Sequence, residues 1–216
     1  MIVSEAYLRI PTALSPGEKR ELGAVMLRIA ENAGREFFTR YEVRLIGEAV
    51  IEDGSSKLWV RIRTSAIVLL GLAGSYGTAR SGIEYIWKDG KVAAEWMADQ
   101  LERSLPDHPE DRRRRAPAAA RLLRLFERVE AGEISAADAT KRAEEILREY
   151  REDADTITAV VAQLRHEFAS IQANKPIRPN QTARTSLGRP PTPIRTGNRL
   201  SVFRDPRTGQ IRFVEE

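Results

Sequence analysis

Any chemistry in this chain has to come from carboxylates, hydroxyls and lysines, because its 216 residues include no cysteine and only two histidines. Without thiols there is no cysteine nucleophile, no disulfide framework and no thiolate metal site, and two imidazoles leave little for a metal cluster. His108 lies between prolines in a sequence break and His166 between Arg165 and Glu167 on a charged helix, so both read as solvated. Glu144, Glu145, Glu149 and Glu152 share a helix surface with Arg142, Arg148 and Arg151, a pattern of ion pairing rather than of an acid–base pair. No catalytic residue, metal-ligand set or cofactor site is expected, and the chain reads as non-enzymatic.

Gly71, Gly74 and Gly77 follow a strand-like run and precede a helical pattern, which superficially resembles a phosphate-cradling turn. Such a turn needs a second parallel strand carrying an acid, or a lysine after the glycines, and neither follows. The uncharged run Ser65–Ala79 reads instead as a helix in which Gly71, Ser75 and Ala79 form one small-residue row and Gly74, Thr78 and Gly82 another. Small rows let helix backbones approach closely. The expected setting is a packed protein interface. The alternative is a membrane helix over residues 66–87, with Arg80 and Glu84 neutralising each other at i and i+4.

The remaining chemical signal is positive charge. The net charge is +4, yet residues 168–216 carry nine basic and three acidic side chains, and no acid occurs between Glu167 and Asp205. Six of the eleven prolines lie beyond residue 175, marking a solvated, extended arm. Lys175, Arg178, Arg184, Arg189, Arg195 and Arg199 would meet an acidic protein, anionic lipid or nucleic acid. The arm lacks the aromatic side chains of a single-strand platform.

The elements that must position these groups predict an α+β fold. Residues 1–105 read as a β-α-β-β module followed by the small-residue helix. Ala6–Ile10 is a strand; Ser15-Pro16-Gly17-Glu18 starts a helix with core stripe Leu22, Val25, Met26 and Ile29; Tyr41–Glu52 and Lys57–Thr64 form a hairpin through Asp53-Gly54-Ser55-Ser56. In its second strand Leu58, Val60 and Ile62 alternate with Trp59, Arg61 and Arg63, so one sheet face is buried and the other solvated or covered by a partner. Residues 106–118, with Pro106, Pro109, Pro117 and Arg112–Arg115, read as a hinge. Residues 119–174 read as a helical hairpin whose second helix, Ala136–Ala173, keeps a heptad seam through Leu147, Tyr150, Ile157, Val161, Leu164 and Phe168. At 1.5 Å per residue it would be about 57 Å long, too long to cover its own stripe. Residues 175–216 are the arm, ending in a hairpin of Leu200–Arg204 and Gln210–Val214 that must dock on a sheet.

These features predict an intracellular, cytoplasmic, self-associating scaffold: a homo-oligomer joined by the heptad helix and a docking C-terminal arm. Two alternatives accompany it, a membrane-associated effector or anchor using residues 66–87 and a nucleic-acid-binding accessory protein using the basic arm.

Overall fold

The computed structural model describes residues 1–41, 44–52, 57–105, 109–115, 117–150, 152–174, 199–205 and 207–215. Their strands form one antiparallel sheet in the order β4-β1-β3-β2-β5-β6, with β1 at Ile2–Arg9, β2 at Ile46–Glu52, β3 at Lys57–Arg63, β4 at Asp111–Arg115, β5 at Arg199–Arg204 and β6 at Ile211–Glu215. The first four strands and the helices between them run β-α-β-β-α-β, the split arrangement of ferredoxin-like folds, and β5 and β6 extend that sheet past β2.

Helix α1, Pro16–Phe38, begins where the sequence says it should. Ser15 and Glu18 form a reciprocal capping box, with the Glu18 N–H donating to Ser15 Oγ at 3.3 Å and the Ser15 N–H to Glu18 Oε2 at 2.8 Å. Its face of Leu22, Met26, Leu27 and Ala30 packs with α3, Ala79–Arg103, on the same side of the sheet, above Ala6, Leu8, Ala49, Ile51, Leu58, Val60 and Ile62. The alternation in β3 is realised: Leu58, Val60 and Ile62 are fully buried, while Trp59, Arg61 and Arg63 line the opposite face.

Four expectations are corrected. Residues 111–115 are not a hinge but the edge strand β4, which pairs with β1 from Glu5↔Arg115 to Arg9↔Asp111. Four successive arginines show no alternation, so their strand conformation comes from pairing. It is held from the helix side by Arg112, which donates to Glu102 at 2.7 Å and also to Asp99 of α3.

The segment 66–87 is not one helix. A nine-residue α2, Val68–Tyr76, ends at Gly77, whose φ of 82° only glycine adopts readily, and Thr78 then caps α3. No helix among the described residues is long and apolar enough to cross a membrane.

The small-residue rows also divide differently. Gly71, Ser75 and Thr78 are exposed, Thr78 serving as a cap, whereas Gly82 meets α2 so closely that a Cβ there would lie 2.6 Å from Leu72 Cβ. The side-chain surroundings of Gly74 lie outside the described residues.

The heptad helix is interrupted. Helix α4, Pro117–Ala131, is followed by α5, Ala136–Glu149, and a separate α6, Ala154–Ala173, started by an Asp153 cap. Tyr150 is the α5 C-cap, and α6 turns back along α5, so the stripe reads continuously in sequence but not in space. Leu147, Val161, Leu164 and Phe168 are buried inside the chain, Tyr150 and Ile157 half-buried, and Phe168 stacks against Phe126 of α4 at 4.6 Å between ring centroids. Glu167 of α6 ties this bundle to the sheet unit by accepting the Ala79 and Arg80 N–H groups at the start of α3, at 2.6 and 3.2 Å.

The C-terminal strands join the same sheet. β5 pairs with β2 from Glu48↔Phe203 to Glu52↔Arg199, and among the described residues β6 pairs only with β5. The sheet therefore crosses the boundaries drawn at 105, 118 and 175.

Candidate functional site

Helices α4 and α5 are joined by a short turn at Gly132 and diverge from an apolar seam of Leu122, Leu125, Ala139, Ala143 and Ile146. Above that seam, Arg121, Arg124 and Arg128 recur on α4 at spacings of three and four, and Asp138, Lys141, Arg142 and Glu145 do so on α5. Helical spacing puts each set on one face, and the two faces line a groove of about 560 Å³. Five cations and two carboxylates line it.

The pairing inside the groove is uneven. Arg121 forks onto Glu149, with Nη2 3.0 Å from Oε1, and Arg128 reaches Glu133 at 3.3 Å. That fork holds the Glu149 carboxyl below its usual range and pushes the Arg121 guanidinium up. Arg124, Lys141 and Arg142 form no ion pair among the described residues, Arg124 and Lys141 being exposed and Arg142 half-buried. Asp138 and Glu145 are the two carboxylates that line the groove beside them. The Asp138 carboxyl accepts from Ser135 Oγ at 2.7 Å, and this bond comes first among the causes that hold its pKa low, ahead of the Arg142 and Lys141 charges. Five lining cations against two lining carboxylates leave the groove a surplus of positive charge. A second cavity, of about 480 Å³ beside α1 and β2, differs: its Arg204 is held by Glu31 with Nε to Oε1 at 2.6 Å.

Arg121 also marks where the groove meets the sheet. Its guanidinium hydrogen-bonds the Tyr150 side chain, whose hydroxyl is pushed up chiefly by burial. The Tyr150 carbonyl accepts from Arg63 Nη2 at 3.3 Å, and Arg63 lies on the sheet face turned away from α1 and α3. On that face Arg61 Nε donates to Glu5 at 2.7 Å and its Nη1 lies 3.9 Å from Glu48, so Arg61 serves two carboxylates. The next pair is Tyr7 on β1 and Trp59 on β3, directly opposite in register, half-buried, with ring centroids 5.1 Å apart and planes at 51°.

The residues singled out in the sequence are distributed otherwise. Lys175, Arg178, Arg184, Arg189 and Arg195 lie outside the described residues; Arg199 opens β5, its side chain likewise undescribed. His166 is exposed on α6, and His108 lies outside the described residues. Arg80 pairs with Glu130 rather than with Glu84, which takes Lys88 instead. No group of three or more metal-ligating side chains occurs among the described residues. The groove was missed because each of its helices carries nearly balanced charge. The usable signal was the three-and-four spacing of Arg121, Arg124 and Arg128, read together with that of Lys141 and Arg142. Comparison with protein-family models, curated proteins and solved structures finds no match to this chain.

Proposed function

We propose that this chain is a non-enzymatic nucleic-acid-binding protein that holds a phosphate backbone in the α4–α5 groove. The observation that carries the proposal is the unconsumed charge of Arg124, Lys141 and Arg142 beside two further arginines. A fold normally pairs its cations where acids are within reach. Here five cations face two lining carboxylates, Asp138 and Glu145, and the surplus faces a groove rather than being scattered over a surface. Phosphate is the natural counter-charge, since it accepts several charge-assisted hydrogen bonds at once.

The test is fluorescence anisotropy with a labelled 12-nucleotide RNA, run beside flotation on phosphatidylserine vesicles. Three phosphate contacts predict a loss of roughly 20- to 40-fold in affinity between about 50 and 200 mM salt. Joint replacement Arg124→Glu and Arg142→Glu should abolish binding without changing the melting temperature by more than a few degrees. RNA affinity indifferent to that replacement would overturn the proposal, and vesicle binding without RNA binding would move the groove to a membrane surface.

Self-association is a second reading, and one observation favours it. The edge strand β6 leaves Phe213 and Val214 exposed, at 41% and 39%, beside a strand backbone that is unpaired among the described residues. Edge-to-edge pairing of two copies would cover them. Sedimentation at micromolar concentration tests this: a dimer dissociated by Val214→Lys supports it, and a monomer across that range removes it.

A further inference from the structure

We infer that the nucleic acid is double-stranded and is held by its backbone without regard to base sequence. This rests on the groove being a phosphate site and adds which form of phosphate chain it fits.

The side chains that line the groove can do few things. Arg121, Arg124 and Arg128 of α4 and Lys141 and Arg142 of α5 can donate to phosphate oxygens, whereas Asp138 and Glu145 repel them. Leu125 and Ile146 present only aliphatic carbon, and no ring or amide side chain is among the described residues that line the groove. Phe126, the aromatic residue of α4, is fully buried against Phe168, and Tyr150, at the end of α5, is hydrogen-bonded by Arg121. Unpaired bases would find no stacking platform on these walls.

Charge is divided unevenly between the walls. The α4 wall contributes three arginines and no lining acid, and the α5 wall two cations and two carboxylates, so a row of phosphates would lie along α4. The end arginines of that row are paired, Arg121 with Glu149 and Arg128 with Glu133, but both pairs face solvent, the arginines 38% and 37% exposed and each glutamate 58%. Exposed pairs bind weakly, and a guanidinium has five N–H donors to share. The pairs therefore fix the ends of the row without closing it to phosphate.

From Arg121 to Arg128 the helix rises about 10.5 Å. Over that length a duplex carries about six phosphates, and one of its strands about three. Helix packing fixes the cations, and a duplex brings phosphates that are fixed as well, with its bases already stacked inside. A single strand must give up backbone freedom to match the row and gains no stacking in return. Base edges lie recessed in the duplex's own grooves, away from a concave surface that receives the protruding backbone, which leaves sequence unread.

The deciding experiment measures anisotropy of the full chain with a labelled 12-base-pair RNA duplex, one of its strands alone, and a second duplex of shuffled sequence. The duplex should bind at least threefold tighter than the single strand, and the two duplexes should agree within threefold. Between about 50 and 200 mM salt, three contacts predict a loss of about 40-fold for the duplex and about 20-fold for the strand. Lys141→Gln, at an exposed position, should weaken both duplexes alike and lower the salt slope by about one. A smaller preference for the duplex, or duplexes that differ more than threefold, would overturn the inference. The groove reading would still stand if Arg124→Glu with Arg142→Glu abolished the binding that remained. Binding of none of the three RNAs would overturn both.

Discussion

Replacing Phe168 by alanine asks whether the apolar stripe of the last two helices belongs to one chain or to two. Phe168 and Phe126 are both fully buried, with ring planes inclined at 52°. Removing a buried phenyl costs its transfer free energy plus that of the cavity left behind, about 3–5 kcal/mol. Of this, the ring pair itself supplies about 0.5–1.5 kcal/mol. Phe168→Leu retains most of the apolar volume and should cost only about 1–2 kcal/mol. For a chain of this size each kcal/mol lowers the melting temperature by about 2–4 °C. The alanine variant should therefore melt about 6–20 °C lower and the leucine variant about 2–8 °C lower. Thermal melts at two protein concentrations tenfold apart, with sedimentation on the same samples, read this directly. If the stripe is intramolecular, both shifts are independent of concentration and particle mass does not change. A Phe168→Ala protein that keeps its melting temperature but halves its mass would refute the reasoning and return the seam to a subunit interface.

Three other perturbations probe how the helices are fixed. Gly82→Ala should destabilise the protein by about 1–3 kcal/mol, because the new Cβ meets Leu72 and forces α2 off α3; an unchanged melting temperature would show that α2 moves freely. Glu167→Ala removes both acceptors at the start of α3 and should cost about 1–3 kcal/mol, measured as a lower urea midpoint with unchanged slope. The Asp153 carboxyl is held below its usual range first by the Thr156 backbone N–H it accepts at 2.8 Å and also by the Thr156 side chain. Its folded pKa is depressed, so its stabilisation is complete above the unfolded value of about 3.9 and is lost as pH falls through the folded one. Asp153→Asn keeps a capping acceptor that does not titrate, so it should flatten the acid limb of a urea-midpoint profile below about pH 4; an unaltered limb would refute the assignment.

How far the sequence reveals this fold depends on whether its signals are local. The capping box at Ser15 and Glu18, the alternation of Leu58, Val60 and Ile62, and the Ser135 cap are local, and each stands where the pattern puts it. Strand β4 was illegible because nothing in Arg112–Arg115 prefers an extended conformation; the pairing partner, β1, lies about a hundred residues away. The heptad pattern misled for a related reason. Three-and-four spacing continues across the break because Ala154 and the half-buried Tyr150 keep the count, while Tyr150 ends one helix and Asp153 starts another. A cap signal inside a periodic run outweighs the period, since an aspartate that binds the N–H three residues on satisfies a helix start. The groove lay beyond local reading altogether, being made by two charge stripes that face each other only after α4 and α5 pack.

The same logic separates two parts of the C-terminal region that the sequence joins into one. Leu200 and Val202 of β5 are 8% and 0% exposed and pack beneath the sheet with α1, so the terminal hairpin belongs to the core. The basic residues that precede it lie outside the described residues. Cutting the chain after Ala173 would remove both, and a lower melting temperature would then say nothing about the charges. Replacing Lys175, Arg178, Arg184, Arg189 and Arg195 together by glutamine isolates them. Because the hairpin remains, the melting temperature should hold within about 2 °C, well under the shift expected from losing one buried aliphatic side chain at 2–5 kcal/mol. If the α4–α5 groove is the principal phosphate site, RNA affinity at 150 mM salt should fall less than it does for Arg124→Glu with Arg142→Glu, and the salt dependence should become shallower rather than vanish. Complete loss of RNA binding in the glutamine variant, with the groove intact, would move the site to the arm. Persistence of binding would show that the charge placed by α4 and α5 suffices without those five side chains.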